Sequence, residues 1–111
     1  MSYTTTVFVF IETKLFTRLA DELLGDAGLK ELQKHLLLHP EVGDIIRGSG
    51  GVRKVRWALP GRGKSGGIRV IYFVRSKQGE IWLLTLYAKN EEASIPGPIL
   101  RKIKEEIDEL N

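Results

Sequence analysis

Residues 52–88 read VRKVRWALPGRGKSGGIRVIYFVRSKQGEIWLLTLYA, and this stretch decides the fold. Val52 to Leu59 alternates, with Val55, Trp57 and Leu59 on one side and Lys54 and Arg56 on the other. That is the period of a strand with two different faces. Pro60 to Gly67 holds four glycines and a proline, so it is a loop. Ile68 to Arg75 is apolar on both faces, as a central strand is. Gln78-Gly79 marks a hairpin turn, and Ile81 to Ala88 is the returning strand. Three consecutive strands on short connections make an antiparallel meander.

Outward from the meander, Tyr3 to Ile11 is β-branched and aromatic and reads as a strand. Lys14 to Leu24 carries Leu15, Leu19 and Leu23 at helical spacing, and Gly25 ends that helix. Asp26 is placed to cap a second helix with Leu29, Leu32 and Leu36 on one face, closed by Pro40. Glu41 to Gly51 reads as a connector, with a turn at Gly48, Gly50 and Gly51. Ser94 and Pro96 start a last helix with an apolar stripe of Ile99, Ile103, Ile107 and Leu110. The order is β-α-α-β-β-β-α, an α+β fold of one domain spanning residues 1–111. The helices are expected on one face, which leaves the face bearing Lys54 and Arg56 open.

Between Ile45 and Gly79 lie nine Lys and Arg and no Asp or Glu. The whole chain has 17 basic and 14 acidic residues, so the remainder holds eight basic residues and all 14 acidic ones. A one-signed cluster of this kind points to a polyanion, most often nucleic acid. The chain has no cysteine, which removes disulfides, thiolate nucleophiles and zinc–thiolate sites. No apolar run approaches the roughly 20 residues of a membrane span, and the N-terminus lacks the pattern of a signal peptide. The expected class is a soluble protein of the cytoplasm.

Several motifs compete with this reading. Ala58 to Ser65 matches a permissive phosphate-loop pattern, but a β-branched strand follows it where a nucleotide-binding loop needs a helix. ATP or GTP binding is therefore rejected. Two readings of the loop stay open, a basic hairpin that approaches a nucleic-acid backbone and a solvated turn. His35 and His39 share a helical face, yet no third metal ligand is near them in sequence. Glu105, Glu106, Asp108 and Glu109 read as a solvated helix face.

The informative set is Lys54, Arg56, Lys64, Arg69, Tyr87 and Lys89, with Arg53 and Arg62 as outer members. In a meander the start of strand 68–75 lies near the ends of both neighbours. RNA cleavage by the 2′-hydroxyl needs a base, cations around the phosphorane-like state and an acid for the leaving 5′-oxygen. Arginine suits the cationic role because its planar fork binds phosphate oxygens and stays charged. A lysine crowded by cations can act as acid or base. Tyr87 can transfer a proton or stack on a base. From the residues alone, phosphate binding is better supported than cutting.

The stretch GSGGVRKVRWALPGRGKSGGIRVIYFV, followed by IWLLTLYAKNE, resembles the RelE/ParE toxin superfamily and within it the HigB-type branch. Its specific part is about residues 48–91, and the element order extends the resemblance over nearly the whole chain. The resemblance implies a cytoplasmic toxin of a type II toxin–antitoxin pair, folded as an antiparallel sheet with helices packed around it. It implies cleavage of mRNA on the translating ribosome, without metal or organic cofactor. It implies a neighbouring antitoxin, commonly a helix-turn-helix protein of the HigA type, whose complex with the toxin binds operator DNA.

By position, Lys54 and Arg56 match the family's alternating basic pair, Arg69 the arginine before a hydrophobic-hydrophobic-Tyr run, and Lys89 the lysine after the last strand. Asn90 stands where the family often has arginine, and nothing after Tyr87 is aromatic. Tyr87 is then the expected substitute for the family's C-terminal tyrosine. Arg53, Arg62 and Lys64 are expected to bind RNA. Two alternatives come with this reading: a ParE-like toxin acting on DNA gyrase, and an RNA-binding module without catalysis.

Overall fold

The computed structural model describes residues 7–58, 67–89 and 95–110. Its elements are β1 (Val9–Glu12), α1 (Lys14–Leu23), α2 (Gly25–Leu38), β2 (Asp44–Ile45), β3 (Arg53–Trp57), β4 (Ile68–Arg75), β5 (Glu80–Ala88) and α3 (Gly97–Asp108). A short 3-10 turn, Ser76–Gln78, joins β4 to β5. The strands form one sheet in the order β1-β5-β4-β3-β2. The meander of β3, β4 and β5 is antiparallel, as its turn residues require. The sheet as a whole is mixed, because β1 runs parallel to β5.

Two elements depart from the sequence reading. The connector after α2 contains β2, a two-residue strand on the outer edge of β3. Asp26 does not cap α2. The helix begins at Gly25 with Leu24 as its cap residue, and Asp26 sits in the first turn, where its charge favours the helix dipole. The start of the first predicted strand, Leu59, the predicted loop from Pro60 up to Gly66, and Ser94 at the predicted start of the last helix lie outside the described residues.

The helices divide between the two faces. On one, α1 and α2 bury Phe16, Ala20, Leu32 and Leu36 against Val55, Val70, Tyr72, Ile81, Leu83 and Leu86. On the other, α3 brings Leu100 and Ile107 onto Val52, Ile71, Phe73 and Leu84. The expectation of one covered face is thus corrected. The cause is β4, whose Val70 and Tyr72 point one way and whose Ile71 and Phe73 point the other. Both sets are buried and each needs cover. Because α3 covers only part of its face, the Lys54–Arg56 end remains accessible, and both residues are exposed.

The rotation of α3 also differs from expectation. Leu100, Ile103 and Ile107 meet the sheet, while Ile99 is 45% and Leu110 65% exposed. Gly97 fixes the approach, since a Cβ there would collide with the Arg47 carbonyl oxygen. At the other end, Arg75 is buried and pairs with Glu80 on β5 (2.7 Å) and Asp108 on α3 (3.5 Å). Arg75 therefore ties the helix to the hairpin instead of adding to the surface field.

A β-bulge adjusts β5. Ile71 is opposite Thr85 but Tyr72 is opposite Leu83, so Leu84 is the extra residue. Its carbonyl accepts a hydrogen bond from the Thr13 hydroxyl (2.8 Å), and the same Thr13 oxygen caps α1 by accepting from the Phe16 amide (2.9 Å). One side chain thus satisfies a helix terminus and the carbonyl at the irregularity.

Candidate nucleic-acid interface

Strand alternation places the site. On β3, Lys54 and Arg56 point away from α1 and α2, while Val55 and Trp57 join the core beneath those helices. The β3–β4–β5 register sets Arg56 opposite Arg69, and Arg69 opposite Tyr87. Lys54 lies one pleat along, opposite Ile71. The Lys89 amide donates to the Gly67 carbonyl (2.9 Å), which holds Lys89 beside the start of β4. Arg56, Arg69 and Lys89 line one cleft of about 150 Å³ together with Trp57, Ala58 and Gly67. Lys54 and Tyr87 line a neighbouring cleft of about 70 Å³ against Ile46, Ile71, Ile95 and Leu100.

Five predicted residues therefore gather at one end of the sheet: Lys54, Arg56, Arg69, Tyr87 and Lys89. Like charges directly opposite in a sheet destabilise it, and here two arginines face each other. Among the described residues, no carboxylate is in an ion pair with Lys54, Arg56, Arg69 or Lys89. An arrangement that concentrates positive charge without internal compensation is suited to an external anion.

Of the other predicted residues, Arg53 is not brought to this place. Arg62 and Lys64 lie outside the described residues. Arg53 is on the opposite face, where its guanidinium donates to the carbonyls of Glu41 (3.1 Å) and Gly43 (2.8 Å). It fastens the connector after α2. Tyr72 works with it, since its buried hydroxyl accepts from the Gly43 amide (2.9 Å) and donates to the Pro40 carbonyl (2.8 Å). Burial raises the Tyr72 phenol above its ordinary pKa, against smaller lowering effects of the Gly43 hydrogen bond and Arg53.

The Gly48-Ser49-Gly50-Gly51 segment is a turn with positive φ at all three glycines (78°, 78° and 118°). Buried Ser49 closes it, donating to the Ile46 carbonyl (2.6 Å) and accepting from the Val52 amide (3.0 Å). The glycines and the Tyr72 phenol thus shape the approach to β3 and stand outside the cationic row. His35 and His39 pack ring to ring at 5.4 Å, and His35 also packs on Trp57 at 5.3 Å. No group of three or more potential metal ligands occurs among the described residues. Alternation assigns Trp57 to the core face, and it packs there while also lining the Arg56 cleft.

A sequence model of the RelE toxin of the RelE/RelB toxin–antitoxin system matches residues 9–108. The chain belongs to the RelE toxin family, and its class is the toxin of a toxin–antitoxin system. Membership implies a cognate antitoxin as partner. No helix among the described residues is long and apolar enough to cross a membrane.

Proposed function

We propose that this protein is a HigB-type, ribosome-dependent endoribonuclease that cuts mRNA during translation. The observation that carries the reading is the uncompensated Arg56–Arg69 pair, flanked by Lys54, Tyr87 and Lys89. In this account the 2′-oxygen attacks the scissile phosphorus as the bond to the 5′-oxygen breaks, giving a 2′,3′-cyclic phosphate and a 5′-hydroxyl. Arg56 and Arg69, with Lys54, hold the non-bridging oxygens and stabilise the charge that accumulates there. Tyr87 and Lys89 handle the protons, one accepting from the 2′-hydroxyl and one donating to the leaving oxygen. No metal or organic cofactor takes part. Arg62 and Lys64 grip mRNA or ribosomal RNA.

The antitoxin in this reading is a helix-turn-helix protein of the HigA type that neutralises the toxin, and operator DNA is bound through their complex. An acidic antitoxin segment on or near the basic row fits its charge. The protein acts in the cytoplasm, where translating ribosomes are.

Purified protein added to a translating extract is expected to cut mRNA and to leave supercoiling by purified DNA gyrase unchanged. Intact mRNA together with inhibited gyrase would assign the ParE-like activity instead.

A further inference from the structure

Arg69 stands in the middle of the cationic row, yet among the described residues its guanidinium makes no hydrogen bond or ion pair. It faces Arg56 directly across the β3–β4 ladder, where like charges repel. An unrestrained arginine spreads over many rotamers, which a docking phosphate must then freeze. Packing, in place of a polar partner, has to set where this fork lies.

Gly67, just before β4, supplies the place. Residues two apart along a strand share a face, so Gly67 and Arg69 lie on the same side of the sheet. A Cβ at Gly67 would sit 3.4 Å from Arg69 Nη1 and 4.0 Å from the Trp57 carbonyl oxygen. The guanidinium is therefore laid back over the glycine. Backbone conformation does not call for glycine here, since the described glycines with positive φ are Gly25, Gly48, Gly50, Gly51 and Gly79. What remains is its other use, close approach. The Gly67 carbonyl also accepts from the Lys89 amide (2.9 Å), and Gly67, Arg69 and Lys89 line one cleft with Arg56.

We propose that Gly67 is a positioning residue, whose bare face is the berth of the Arg69 guanidinium while its carbonyl fixes Lys89 alongside. The proposal rests on the RNA-cleavage reading of the site and refines it. A methyl at this position would press on Nη1, and the branched side chain of valine, one bond longer, would take the space of the fork.

The test is a double-mutant cycle on the full chain, with mRNA cleavage in a translating extract as the readout. Gly67→Val should lower cleavage on the order of tenfold in the parent, because the fork is displaced from the phosphate. In an Arg69→Ala background, assayed at higher protein concentration, the same change should alter cleavage by less than about twofold. Valine is a good strand residue, so the urea midpoint of Gly67→Val should be no lower than the parent's. Should that midpoint fall, Gly67→Ala carries the same comparison, with an expected loss of about threefold confined to the parent background. Parental cleavage in the Gly67 variants, or equal fold losses in both backgrounds, would overturn the proposal. No cleavage by the parent protein would contradict the endoribonuclease reading itself, and this proposal with it.

Discussion

Arg56 and Arg69 face each other across two hydrogen-bonded strands with no described carboxylate in an ion pair with either. A fold selected for stability alone would not keep that pair. Replacing exposed Arg56 by threonine, a good strand residue, is expected to stabilise the protein by a few tenths to about 1 kcal/mol. The same change should lower mRNA cleavage. Urea denaturation and a cleavage assay on one preparation would show the two effects with opposite signs. A loss of stability would mean that the pair is compensated.

Tyr72 gives a second residue-scale expectation. Its phenol is completely buried and hydrogen-bonded to Gly43 and Pro40. Tyr72→Phe leaves that amide and carbonyl without their partner and should cost about 1–3 kcal/mol. Because burial raises the folded-state pKa, the neutral phenol contributes stability that is fully present below the unfolded-state pKa. That contribution is lost as pH rises through the folded-state value. Urea midpoints measured from neutral to strongly alkaline pH should fall more steeply for the parent than for Tyr72→Phe. Parallel curves would remove Tyr72 from the alkaline response. The sequence showed Tyr72 only as part of a motif. Its hydroxyl partners lie about thirty residues away and emerge only when the connector folds back over β4.

Among the elements, the meander was the most legible, since each strand carried its own alternation and each connection its own turn residues. The two-residue β2 offered no period to detect. Periodicity found α3 but misjudged its rotation. The expected and observed stripes share Ile103 and Ile107, and an arc through those two can be extended to either side. The approach at Gly97 and the Arg75–Asp108 pair choose the side that contains Leu100. Leu100→Ala should therefore cost about 2–5 kcal/mol, whereas Ile99→Ala should stay within about 0.5 kcal/mol of the parent. Denaturant titration of the two variants separates the rotations, and equal losses would contradict the one described.

Across the whole molecule, the acid-free block divides by position. Arg75 is an internal tie and Arg53 a connector clamp, while Lys54, Arg56, Arg69 and Lys89 stay available at one end. Charge counting could not make that division, because burial and facing depend on strand register and on which helix covers which face. If these four cations, with Arg62 and Lys64, each neutralise one phosphate of single-stranded RNA, affinity should fall with salt at a log–log slope of about −4. A slope near −6 would mean that Arg53 and Arg75 also engage, against their internal contacts. Cutting, as distinct from binding, is the central claim. Its most direct test is to map mRNA ends in a translating extract with the wild-type protein and with Arg69→Ala. The wild type should leave cuts within translated frames, ending in 2′,3′-cyclic phosphates, and Arg69→Ala should lose activity on the order of a hundredfold. Intact mRNA with the wild type, or equal cutting by Arg69→Ala, would contradict it.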